Sequence, residues 1–173
     1  KLEVIDIELY RQALTHKSYI KKEFYNKNMD EILKYKSQMP DDVLELRELS
    51  NERLEFFGDT IIKAVIAEYL FERYPTQDEG FMTKLKTKIE NRESLARWAR
   101  VMGLDEFVII SAQNEGSNTG RTNDKILEDA FESFLGALKK DTNFETCKAF
   151  IRNLLENQVD WSEILYKDCN YKD

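Results

Sequence analysis

Asn51–Tyr74 reads NERLEFFGDTIIKAVIAEYLFERY, and the reading of this stretch decides the fold. It contains no Pro, and its single Gly, Gly58, stands near its start. Apolar residues recur at helical spacing, at Leu54, Phe57, Ile61, Ile62, Val65, Ile66, Tyr69 and Leu70. The stretch therefore predicts one long amphipathic helix. Ser50 or Asn51 can cap its first turn by accepting a backbone N–H, and Pro75 follows its last. Glu52, Glu55 and Asp59 stand at i, i+3 and i+7 and project from nearly the same side. The helix dipole favours an acid in the first turn, which accounts for Glu52. Asp59 lies two turns in, where a like charge one turn away repels it. Carboxylates stacked on one stripe of a mostly apolar helix call for a cation or for cationic side chains. Mg²⁺, which takes oxygen ligands, suits them.

A second helix of the same kind is predicted over Asp124–Lys139, with Ile126, Leu127, Ala130, Phe131, Phe134, Leu135 and Leu138 inward. Asp129 and Glu132 stand at i and i+3 and share a face; Glu128 points elsewhere, towards solvent. Packed face to face, the two helices would bring Glu55, Asp59, Asp129 and Glu132 around one small volume. Such a cluster repels itself and raises its own pKa values unless a cation joins it. With one or two Mg²⁺ it becomes a site for phosphodiester hydrolysis. The ordinary alternative is that each pair is a solvated acidic edge.

Around these two helices the chain reads as all-α. A first helix is predicted over Asp6–Tyr19. His16, the one histidine, stands near its end, where a cap is the commoner role than a general base. Residues 21–48 are rich in Lys, Asp, Glu and Asn, with weak amphipathic spacing that suggests one or two short surface helices. After Pro75, a turn capped by Thr76 or Asp78 leads into a helix carrying Lys84, Lys86 and Lys88. A further helix runs from Asn91 to a glycine stop at Gly103. Asp105–Ile110 is an apolar run of ambiguous type, and Gln113–Asn123 is a polar loop. Asn143–Asn157 is amphipathic.

The chain has 173 residues, 42% of them apolar, enough for one substantial core. A formal net charge of −7 argues against nucleic acid as a partner, because phosphate binding normally rests on excess Lys and Arg. The objection weakens where acids hold divalent ions, which reverse the local sign. Cys147 and Cys169 show no pairing or zinc spacing, so an intracellular setting, cytoplasm or nucleus, is expected. No apolar run approaches a membrane span.

NERLEFFGD (Asn51–Asp59) resembles the signature of the ribonuclease III family, the double-stranded-RNA endonucleases that include Dicer. QALTHKSY (Gln12–Tyr19) and DKILEDAFESFLGAL (Asp124–Leu138) are similar to the family's other motifs and stand in the expected order. The resemblance implies a ribonuclease III endonuclease-domain fold over residues 1–160, with 21–48 an insertion and 161–173 the start of a linker toward a double-stranded-RNA-binding domain. It implies Glu55, Asp59, Asp129 and Glu132 as catalytic metal ligands for Mg²⁺, with Mn²⁺ as a substitute. It implies Lys125 near the scissile phosphate, and Glu52 and Glu79 as RNA contacts or supports of the site. Helix capping by the two glutamates and a solvated amine at Lys125 remain the plain alternatives. Phe56, about 100° from the Leu54/Ile61 stripe, is the implied anchor of a symmetric homodimer, each subunit cutting one strand of double-stranded RNA. The products would carry 5′-phosphates, 3′-hydroxyls and short 3′ overhangs. The sequence departs from the family pattern at Phe57, at Thr60, at Lys139-Lys140 and in the insertion. A non-catalytic ribonuclease III-like structural or RNA-binding dimerisation domain is the alternative, against which the intact set of four acids argues.

Overall fold

The computed structural model describes residues 4–20, 44, 46–116 and 120–169, and all regular elements among them are helical. The expected all-α class holds. The helices are α1 (Ile7–Ala13), α2 (Glu52–Arg73), α3 (Glu79–Ile89), α4 (Arg92–Val101), α5 (Leu104–Phe107), α6 (Ala112–Gly116), α7 (Asp124–Asp141), α8 (Phe144–Gln158) and α9 (Trp161–Cys169). Most of the expected insertion, 21–48, lies outside the described residues.

α2 is the long helix predicted from its periodicity, with Leu54, Ile61, Ile62, Val65, Ile66, Tyr69 and Leu70 buried along one face. Its most extensive partner is α7, which buries residues almost all round. Two glycines make the contact. A Cβ on Gly58 would lie 1.7 Å from the carbonyl oxygen of Glu132, and one on Gly136 would lie 2.3 Å from that of Leu54. Only a residue without a side chain lets the backbones approach this closely. The line of contact thus passes through Leu54 and Gly58, which turns Phe57 to the rim: it is 38% exposed, not inward as its spacing predicts. α4 packs under α7 through Trp98, whose ring tilts against Phe131 at 5.6 Å, and both side chains are fully buried.

The first helix is shorter than expected. It is capped by the Asp6 carboxylate and ends at Ala13, because Thr15 turns away to pair with Ile109 in an isolated parallel bridge. His16 then caps a 3₁₀ turn, Lys17–Tyr19, its Nδ1 accepting from the Ser18 amide at 3.2 Å. This irregular segment fixes the start of α2, since the Asn51 amide donates to the Thr15 carbonyl at 2.9 Å and Gln12 Nε2 to that of Ser50 at 3.1 Å. Asn51 makes no side-chain cap; Ser50 Oγ accepts from the Glu52 amide at 3.4 Å. Asp78 caps α3, and Gly103, at φ 73°, stops α4 in the left-handed conformation.

The ambiguous Asp105–Ile110 run contains the end of α5 and the Ile109 bridge, and the polar loop begins with α6. Arg121 closes this loop, its Nη1 donating to the carbonyls of Asp105, Glu106 and Val108 and its Nε to Glu115. The segment read as a linker starts as a helix, α9. Trp161 stacks on Tyr69 at 5.6 Å and carries the Arg73 guanidinium at 4.8 Å, so the start of α9 is fastened to the end of α2.

Gly58→Ala tests the helix contact. Alanine favours a helix interior over glycine by up to about 1 kcal/mol, but the new methyl meets a backbone oxygen that cannot rotate aside. Overpacking of this kind costs about 1–3 kcal/mol or more. Urea unfolding is expected to show net destabilisation, and an alanine variant as stable as the parent chain would mean that α2 and α7 can part at no cost.

Candidate active site

Where α2 crosses α7, Glu55, Asp129 and Glu132 offer carboxylate oxygens that all lie within 4.8 Å of one another. Asp129 and Glu132 are buried on α7, at 9% and 7% exposure, and Glu55 is half-buried on α2. Helical spacing puts the first two on one face, and the glycine contact at Gly58 and Gly136 brings Glu55 against them.

Gathering acids in a dry place raises their proton affinity. Burial, followed by the charges of Asp59, Glu128, Glu55 and Asp129, pushes Glu132 up to about 8. Burial and then the charge of Asp129 raise Glu55 as well, partly offset by Lys125. Lys125 reaches into the cluster, with Nζ 2.5 Å from Asp129 Oδ1 and 3.6 Å from both Glu55 Oε1 and Glu128 Oε2. Burial pulls its pKa down, but the hydrogen bond and charge of Asp129, with the charges of Glu128 and Glu55, outweigh that and raise it.

The other expected site residues are placed differently. Asp59 is not among the three that gather within 4.8 Å, yet its charge acts on Glu132 more strongly than that of any other acid; its Oδ2 pairs with Lys63 Nζ at 2.8 Å, one helical turn on. Three of the four expected carboxylates gather within that distance, and the fourth acts on them through its charge. Sequence reasoning passed over Lys63, although an acid four residues before a lysine on a helix is a recognisable pairing signal. It also put Glu128 in solvent, whereas Glu128 is mostly covered and bonds Arg92 Nε at 2.9 Å. Glu52 pairs with Lys17 Nζ at 3.2 Å, and Glu79 opens α3 and accepts from Thr83 Oγ1 at 2.8 Å. His16 serves as a cap, and burial lowers its pKa. Phe56 is 80% exposed beside the cluster, on the face that α7 does not cover.

The three gathered residues could hold a metal ion. All their donors are carboxylate oxygens, which suits a hard divalent cation rather than a soft one. A positive charge among them would also offset the burial and the repulsion that together raise the Glu132 pKa.

The family described as ribonuclease-III-like matches residues 6–159 of this chain. A probable ribonuclease 3 of Acanthamoeba polyphaga mimivirus is 37% identical over 98% of the chain and 30% of its own length. Ribonuclease 3 of Streptococcus gordonii is 38% identical over 90% of the chain and 58% of its own length. The chain thus spans less than two thirds of the length of these curated relatives. Among solved structures, the nuclease domain of ribonuclease III from Campylobacter jejuni superposes with a TM-score of 0.71 at 32% identity, covering 90% of each chain. Dicer from Pichia stipitis, at TM-score 0.58 and 16% identity over 91% of this chain and 58% of its own, shares the fold.

Glu132 predicts a pH dependence of stability. Its carboxyl titrates near its ordinary value of 4.5 in the unfolded chain and near 8 in the folded one. Between those values the folded state binds the extra proton, so unfolding free energy falls as pH rises through the window. The stabilisation is complete below about pH 4.5 and lost above about pH 8, a difference on the order of a few kcal/mol. Thermal melts in chelator across this range are expected to fall with pH in the parent chain and to flatten in Glu132→Gln. A parent melt without this slope would show that Glu132 ionises normally.

Proposed function

The chain belongs to the ribonuclease-III-like family, and from that premise we propose that it is a double-stranded-RNA endoribonuclease dependent on Mg²⁺, or Mn²⁺ as a substitute. It hydrolyses phosphodiester bonds to leave 5′-phosphate and 3′-hydroxyl ends with short 3′ overhangs. The observation that carries this reading is the convergence of Glu55, Asp129 and Glu132, three buried or half-buried carboxylates from two helices, on one small volume.

When bound there, a divalent ion supplies Lewis acidity to a phosphoryl oxygen and acidity to an attacking water. Glu55, Asp129 and Glu132 would hold it, with Asp59 as the fourth ligand. Lys125, whose ammonium already lies among the acids, faces the scissile phosphate and offsets charge that develops on it. Glu52 and Glu79 lie on the surface and are read as RNA contacts or supports of the site.

Two copies of the domain join through α2, and the exposed Phe56 ring enters the partner. The Campylobacter jejuni nuclease domain also has a region involved in dimer formation. One site per subunit, offset across the duplex, accounts for a cut on each strand and for the overhang. Residues 1–160 form the endonuclease domain with 21–48 an insertion, and 161–173 begin a connection toward a double-stranded-RNA-binding domain. The setting is intracellular, cytoplasm or nucleus, in keeping with a free thiol at the buried Cys147.

Incubation of long double-stranded RNA with the chain, with and without Mg²⁺, tests the reading. Cleavage to short duplexes is expected only with the metal. Glu132→Ala is expected to lower the rate by roughly a hundredfold or more, since a metal contributes several kcal/mol to such reactions, while the fold survives. A variant that cuts at the parent rate would remove Glu132 from the site, and a parent chain that binds duplex without cutting it would favour the non-catalytic alternative.

Phe56→Ala is expected to weaken the dimer by about 2–4 kcal/mol, with little change in the stability of the monomer core. Sedimentation of both proteins through a dilution series decides it. Equal dissociation constants would assign the dimer contact to other residues.

A further inference from the structure

Two lysines occupy the carboxylates of the site. Lys125 spans two of the gathered acids, 2.5 Å from Asp129 Oδ1 and 3.6 Å from Glu55 Oε1. Lys63 holds Asp59 Oδ2 at 2.8 Å and also feels the charges of Glu90 and Glu132, so it lies on the cluster side of α2. An ammonium is a compact point charge on a flexible stem, and it takes the same oxygens that a hard divalent ion takes. Two cations bound to one carboxylate at such distances repel strongly in a partly buried site. Both stems can move: the Lys63 and Lys125 side chains are 52% and 49% exposed, with solvent on one side of each.

We propose that Lys63 and Lys125 compete with a divalent cation for these carboxylates, so that the ion binds by exchange for the two ammonium groups. In the exchange Lys125 leaves Asp129 and Glu55, and Lys63 releases Asp59 to join Glu55, Asp129 and Glu132. The inference rests on the reading of those acids as metal ligands, and it deepens that reading in two ways. It makes metal affinity a property of the lysines as well as of the acids. It also makes the Lys63 ammonium, paired with Asp59 on the same helix, the group that must leave before Asp59 can take the ion. The ammonium displaced from Asp129 is then free to meet a phosphate. Lys63 is a positioning residue in this scheme, acting through Asp59.

The test measures binding directly, with no RNA present. Mg²⁺ and, separately, Ca²⁺ are titrated calorimetrically into the 173-residue chain and its Lys63→Met, Lys125→Met, doubly substituted and Glu132→Gln variants. Each single lysine substitution is expected to tighten the dissociation constant by roughly fivefold or more, as for two coupled binding events, and the pair to tighten it further. In the parent chain, the ε-carbon resonances of Lys63 and Lys125 are expected to move toward those of solvated lysine, saturating together with the heat. Equal affinities across the lysine variants would overturn the proposal. So would tighter binding with resonances that stay still through saturation, since removing a nearby positive charge then accounts for the gain without exchange. Absence of saturable binding in the parent chain, or binding untouched by Glu132→Gln, would instead bring down the reading of the acids as a metal site. The parent-chain resonances keep the question answerable even where a variant fails to fold.

Discussion

The contact of two backbones without intervening side chains governs this structure. At Gly58 and Gly136 the helices α2 and α7 meet so closely that a single methyl group on either would overlap a carbonyl oxygen of the other. A side chain at a helix contact can change rotamer; a backbone oxygen in a hydrogen-bonded helix cannot. The separation and register of α2 and α7 are therefore fixed more tightly than packing of ordinary apolar side chains would fix them. Glu55, three residues before Gly58, is delivered to Asp129 and Glu132 by that register. The same register leaves Phe56 and Phe57 outside the contact. Ser133, buried between, donates to the Ala13 carbonyl at 2.5 Å and ties α1 to the back of α7.

Rigidity of this kind is what a gathering of acids requires. Asp129 and Glu132 are held in a low-dielectric place beside another carboxylate, an arrangement that opposes folding unless protons or cations compensate it. The raised proton affinity of Glu132 and the ammonium of Lys125 against Asp129 supply that compensation. Fully buried side chains of Trp98, Phe131, Leu127 and Leu135 around the same helix contribute the apolar burial that outweighs the remainder. One helix, α7, thus carries both the buried acids and a large part of the apolar core.

Among the described residues, many cations are committed to the chain's own acids. Arg47 bonds Glu8, Arg92 bonds Glu128, Arg100 bonds Asp124, Arg152 bonds Glu72, Lys148 bonds Glu68 and Lys86 bonds Glu90. Each exposed pair adds little to stability, but in a chain of net charge −7 the pairing lowers the charge that these side chains present to a distant polyanion. Arg121, in the polar loop, is spent on three carbonyls and a glutamate.

The sequence by itself determined the all-α class, the extent of α2, α7 and α8, the glycine stop at Gly103 and the two carboxylate-bearing faces. Each of these follows from periodicity or from a residue's own backbone preference, which act within a few turns of chain. The motif resemblance added the family, because spacing along one helix is preserved in a string of letters. Tertiary structure alone decided the rest. That Phe57 turns outward, that the first helix stops at Ala13 to let Thr15 meet Ile109, and that Glu128 is covered by Arg92 all depend on neighbours far away in sequence. Asp59 is the instructive case. Its spacing from Glu55 predicts a shared face and its spacing to Lys63 a pair within the helix, but only the packed helices show that its charge also reaches Glu132. Helical periodicity fixes the direction in which a side chain leaves the backbone; the charges that meet it there are set by the fold.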